Sequence, residues 1–136
     1  MKKIELSKEV LRKAWSLPEQ YWLSLSTFKV VDYSVLSELD RPEEISETAY
    51  FISVGYIPFF TVSNEEVMKA YVETIENKKL KEAFSKISEE NYVESFWKYF
   101  KIYPEIFEGY NSFEDSFVLE KAKKWCAENG IDYIAE

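Results

Sequence analysis

From Glu89 to Pro104 the chain reads EENYVESFWKYFKIYP, and Val93, Phe96, Trp97, Phe100 and Tyr103 recur at helical spacing. The spacing predicts a helix with one broad aromatic stripe, capped by Ser88 and stopped by Pro104, with Glu94, Lys98 and Lys101 turned elsewhere. Glu94 precedes Lys98 by four positions, the spacing of a modest ion pair. The other segments are expected to pack around this stripe, with Trp97 as a buried anchor.

The remaining pattern is read in chain order. Ser7 caps a short amphipathic helix over Lys8 to Trp15, with Val10, Leu11, Ala14 and Trp15 inward and Pro18 closing it. The period then changes to two: Tyr21, Leu23 and Leu25 alternate with Trp22, Ser24 and Ser26. Lys29 to Leu36, rich in β-branched and aromatic residues, makes the second arm of a hairpin. Its turn near Thr27 and Phe28 lacks Gly or Asn, so a longer or irregular connection is expected. Ser37 to Thr48 carries Pro42 and five acidic residues against Arg41 and reads as a loop. Tyr50 to Val54 alternates as a third strand, and Gly55 and Pro58 mark where pairing bends or ends.

Helical patterns then return. Ser63 and Glu66 form a capping box before Val67, Met68, Tyr71, Val72 and Ile75. Leu80, Ala83, Phe84 and Ile87 give a second short helix, followed by the aromatic one. The last helix is expected from Ser112, with Val118, Ala122, Trp125 and Cys126 inward. Asn129 and Gly130 end it, and Ile131 is placed for a C-cap contact. The tail Asp132 to Glu136 carries no clear signal. The fold class is therefore α+β: an N-terminal helix and a small antiparallel sheet of about three strands packed with a C-terminal group of about four helices. No repeat or linker divides the chain, so residues 1–136 read as one domain.

Composition narrows the chemistry. No apolar run approaches the roughly 20 residues that span a bilayer, and Ile4 and Leu6 after Lys2 and Lys3 are too few for a signal peptide. One cysteine forms no internal disulfide, in keeping with a reducing compartment, and the expected location is the cytoplasm. The chain has no histidine, so serine-type triads and His-based zinc sites cannot be built. Three glycines leave no room for a dinucleotide fingerprint or phosphate loop. No cofactor, no metal site and no catalytic residue is predicted. Cys126, although near Lys123 and Lys124, reads as a small buried hydrophobe.

The net charge of −8 argues against a phosphate-backbone binder, which needs clustered Lys and Arg. Nucleic acid binding would require Lys78, Lys79, Lys81 and Lys121 to Lys124 to share a face. More unusual is the stretch from Lys101 to Lys121, which has no basic residue between its ends. There Glu105, Glu108, Glu114 and Asp115 alternate with Tyr103, Phe107, Tyr110 and Phe113. These eight residues are the candidate binding surface. With aromatics at 18% of the chain, more than one small core readily hides, the first reading is a non-catalytic interaction or regulatory module. Its partner would be a protein or a second copy of the chain. The alternative is a small-molecule-binding protein or hydrolytic enzyme whose carboxylates converge in an aromatic-walled pocket.

The order of elements also resembles a family of small bacterial proteins, uncharacterised protein family 0158. The likeness rests on YWLSLSTFKVV, YIPF, FWKYFKIYPE and WCAENGI. Members usually carry a glycine in the hairpin turn, where this chain has Phe28. They also carry a basic Gly-Arg-Gly-Ala-Phe segment entering the central helix, where this chain reads Asn91, Tyr92, Val93, Glu94, Ser95, Phe96. The resemblance implies a bacterial cytoplasmic α+β domain and no particular activity.

Overall fold

The structure is a computed structural model that describes residues 3–135, apart from the side chain of Glu105. Met1, Lys2 and Glu136, the last residue of the expected tail, lie outside the described residues. The chain is mixed helix and sheet. Its contacts divide into two compact units, residues 1–61 with 119–136 and residues 62–118.

In the first unit, β1 (Ile4–Leu6) leads into α1 (Lys8–Arg12) and a 3-10 turn over Lys13–Trp15. Ser7 caps α1 as expected, its Oγ accepting from the Val10 amide at 3.3 Å. Ala14 is buried, whereas Trp15 is exposed. Next come β2 (Tyr21–Ser24), β3 (Val30–Asp32), α2 (Tyr33–Leu36), α3 (Glu47–Ser53) and β4 (Tyr56–Pro58). These strands form an antiparallel sheet in the order β3-β2-β4, with Trp22 opposite Val31 on one side and Pro58 on the other. Because β2 is central, Trp22, Leu23 and Ser24 are all buried and the expected alternation is lost.

One expected strand is helical in its second half and another almost throughout. Of the expected arm Lys29 to Leu36, Val30–Asp32 pairs with β2 as a hairpin and Tyr33–Leu36 is helical. The Asp32 carboxylate accepts from the Ser34 amide at 2.9 Å and starts α2. Tyr50 to Val54 belongs to α3, begun by Ser46, whose Oγ accepts from the Ala49 amide at 3.2 Å. In both places a capping side chain outweighs the β propensity of the residues that follow. Gly55, at φ +98°, ends α3 in the left-handed region, and the third strand follows it. Pro58 sits on the edge strand, where its missing N–H costs no ladder bond. The hairpin connection is irregular, as the absent glycine predicts: Ser24 donates its amide to Lys29 O at 2.9 Å, and Phe28 holds φ +57°.

The same unit contains the end of α8 (Tyr110–Glu128) and then β5 (Tyr133–Ala135). The helix ends in the expected motif: Gly130 at φ +66°, with the Ile131 amide donating to Cys126 O at 2.8 Å and Ile131 buried. β5 then pairs in parallel with β1, Ile4 opposite Tyr133, so the tail is a strand. Phe59, Phe60 and Trp125 form an aromatic group here, Phe59 lying 5.2 Å from Trp125 between ring centres.

The second unit is helical: α4 (Asn64–Glu73), α5 (Lys78–Ser85), α6 (Tyr92–Ile102), α7 (Pro104–Phe107) and the first turns of α8. The capping box at Ser63 and Glu66 is complete, and Val67, Met68, Tyr71, Val72 and Ile75 are buried as their spacing predicts. Asn77 caps α5 through its Oδ1. The aromatic helix is shorter than expected. Glu89–Asn91 form a 3-10 turn, and Ser88 makes no side-chain cap bond. α8, by contrast, starts at Tyr110, ahead of Ser112, and is longer than expected.

On α6 the fully buried ring is Phe96, and Trp97 is 39% exposed, which corrects its expected role as the anchor. One helical step of about 100° separates neighbours, so Phe96 can point inward while Trp97 flanks the stripe. Glu94 and Lys98 pair at 3.8 Å on the exposed side. Phe96→Ala should therefore cost roughly 3–5 kcal/mol and Trp97→Ala roughly 1–2 kcal/mol. Chemical denaturation of the two purified variants checks this, and equal losses would return Trp97 to the core.

Candidate functional site

Pro104 creates the site. It cannot continue α6, and it pushes the residue before it out of the helical region, so Tyr103 sits at φ −107°, ψ 115°. The chain turns and restarts as α7, with the Ile106 and Phe107 amides donating to Tyr103 O at 3.1 and 3.3 Å. In this turn Ile106 is fully buried, while Phe107 is 60% exposed and Ile102, at the end of α6, is 68% exposed. Phe100 packs edge-on against Phe107, ring centres 5.6 Å apart. Phe100, Ile102, Tyr103, Pro104 and Phe107 thus line an open groove of about 480 Å³, with Lys101 and Glu108 also on its wall.

The eight predicted surface residues divide between groove and interior. Tyr103, Phe107 and Glu108 line the groove. Glu105 belongs to α7, but its side chain lies outside the described residues. Tyr110 is buried against Phe96, Trp97 and Tyr71, so its assignment to a binding surface is corrected. Its position as the first residue of α8 turns it into the helical core. Phe113 packs half-buried on the same cluster, Glu114 is half-buried and Asp115 is exposed. Ile102 and Phe100, missed as site residues, line the groove together with Phe107. Their signal was the proline that ends a hydrophobic helix in mid-stripe.

Beneath this wall, burial pushes the pKa of the Tyr110 hydroxyl well above the usual phenol value, and the nearby Glu114 carboxylate adds to the shift, so the hydroxyl stays protonated. The hydroxyl has no well-formed hydrogen bond among the described residues. By contrast, the Tyr71 hydroxyl donates to Ile106 O at 3.0 Å and fastens α7 to α4.

Elsewhere four of the basic candidates are engaged. Lys81 donates to Glu73 O, Lys121 to Thr61 O and Lys123 to Glu120, while Lys124 pairs with Glu128 at 4.0 Å. Cys126 is buried and its thiol is pushed up by burial, which disfavours the thiolate needed of a nucleophile. Among the described residues no three His, Cys, Asp or Glu gather where they could hold a metal ion, and no helix is long and apolar enough to cross a membrane.

Sequence reasoning also missed a polar cleft in the first unit. There Glu19, Tyr33, Glu47 and Thr48 meet over Trp22 and Phe51. The residues come from three separate segments, and no local motif joins them.

Comparison with family models, with curated proteins and with solved structures finds no match for this chain.

An unpaired buried hydroxyl costs about 1–3 kcal/mol, so Tyr110→Phe should leave stability unchanged or raise it by about 1 kcal/mol. Thermal or denaturant unfolding reads the change. A loss larger than about 1 kcal/mol would mean that the hydroxyl is bonded, with Glu114 as the acceptor.

Proposed function

We propose that this chain is a non-catalytic, cytoplasmic interaction module whose α6–α7 groove takes an apolar protein segment with a basic flank. The observation that supports this most is the exposure of Ile102 and Phe107 on one groove, both more exposed than Trp97 on the neighbouring stripe. Large apolar residues grouped around a concavity are what a docking helix or strand uses as an anchor site. The charge pattern favours a basic flank. No Lys or Arg occurs between Lys101 and Lys121, and Glu108 on the wall and Asp115 beyond it are exposed. Membership of uncharacterised protein family 0158, and hence a bacterial source, belongs to the same proposal and is supported by the YIPF, FWKYFKIYPE and WCAENGI segments.

A phage-displayed random peptide library selected on the purified protein tests the reading. Enriched peptides should combine two or more large apolar residues with Lys or Arg, and should bind Ile102→Asp or Phe107→Asp at least about tenfold more weakly, a difference of about 1.4 kcal/mol. Both positions are exposed, so circular dichroism should show the variants folded. Glu108→Lys should weaken the basic peptides more at low salt than at high salt. Enriched peptides that bind wild type and both Asp variants equally would place the interaction elsewhere. Concentration-dependent dimerisation abolished by the same two changes would replace the foreign segment with a second copy of the chain.

A further inference from the structure

The cleft in the first unit has a different chemistry. Its volume is about 320 Å³, at the lower end of the range of small-ligand sites. Trp22 and Phe51, both fully buried, form the floor, ring centres 5.2 Å apart and edge to face, and Tyr33 lies 6.1 Å from Phe51 and is 36% exposed. Leu17 and Pro18 supply an apolar lip.

Two carboxylates sit on this frame, and each is held by a hydroxyl from another segment. Tyr33 donates to Glu47 Oε2 at 2.6 Å, and Thr48 donates to Glu19 Oε1 at 3.1 Å. The backbone of Glu19 is itself fixed: it holds φ +65°, and its carbonyl accepts from the Trp22 indole at 2.8 Å. No lysine or arginine lines the cleft. Arg41, whose charge reaches the Tyr33 hydroxyl, is engaged by the carbonyls of Pro42 and Ile45. The result is a polar cleft with one accessible aromatic ring, that of Tyr33, two negative groups held in place, and no lysine or arginine among its lining residues. An ammonium group fits both features, since an aromatic face attracts a cation through its quadrupole and a carboxylate through its charge.

We propose that this cleft binds a small organic cation of the alkylammonium class, with its charged head between Glu19 and Glu47 and its carbon substituents against Tyr33 and Leu17. The site lies on different elements from the α6–α7 groove and stands or falls independently of it.

Choline is a suitable probe, with the uncharged isostere 3,3-dimethyl-1-butanol as its control. The readout is the Trp22 indole N–H signal in a proton–nitrogen correlation spectrum, assigned by replacing the other three tryptophans in turn. Choline should shift this signal saturably, and the neutral isostere should not. Glu47→Gln, at an exposed helix position that should leave the fold intact, should weaken the apparent affinity at least about fivefold, and Tyr33→Leu likewise. Glu5→Gln, outside the cleft, should leave it unchanged. A linear, non-saturating shift, an equal response to the neutral isostere, or undiminished binding by Glu47→Gln would each overturn the proposal.

Discussion

The helical unit depends on the burial of Phe96. Its ring meets Tyr71 of α4, Phe84 of α5 and Tyr110 of α8, at centre distances of 6.5, 5.9 and 5.0 Å. One side chain therefore joins four helices. α4, α5 and α6, at 10, 8 and 11 residues, are too short for their backbone bonds alone to hold them, since isolated helices below about 12–15 residues are marginal in water. The mixed edge-to-face and tilted geometry is what aromatic rings prefer over face-to-face stacking. Ion pairs add little to this: the Glu82–Lys86 and Glu94–Lys98 bridges are exposed pairs one helical turn apart, and Glu65–Lys69 is a half-buried one.

The groove inherits its shape from that core. Tyr71 packs against Phe96 and Tyr110, and its hydroxyl donates to Ile106 O, which ties α7 to α4. Gly109 makes the approach possible, because a Cβ there would come within 3.0 Å of the Tyr71 oxygen. A four-residue helix held at that point has Ile106 committed inward, which leaves Phe107 facing out beside Ile102. The exposed apolar pair is thus a consequence of a proline break followed by one buried hydrogen bond.

Legibility in the sequence followed the range of the forces involved. The Ser63–Glu66 box and the Gly130 terminus were readable because both are closed by residues a few positions apart. The same kind of signal was present at Asp32 and Ser46, but the β-rich residues behind them suggested strands, and local caps prevailed. The β1–β5 pair had no local signature at all: three-residue parallel strands at opposite ends of the chain are specified only by the tertiary structure. In the site, the acidic aromatic stretch was visible as a composition, but which ring faced out was not. Tyr110 and Phe107 differ by three positions, and the turn at Glu108 and Gly109 between two helices breaks the periodicity that would have related them.

The aromatic excess acquires meaning from where it is spent. Trp22, Phe51, Phe59, Phe60, Phe84, Phe96, Tyr71, Tyr92 and Tyr110 are buried, so aromatic content alone gave no measure of an interface. In the first unit this burial also sets polar chemistry. A non-glycine residue in the left-handed region costs about 1–2 kcal/mol, and Glu19 tolerates it where Trp22, packed on Phe51 and Leu36, donates its indole N–H to the Glu19 carbonyl. Burial of the Trp22 ring fixes the indole, and the indole fixes the backbone that carries the Glu19 carboxylate. Hydrophobic packing on one face of β2 thereby determines where a negative charge stands at the mouth of the cleft.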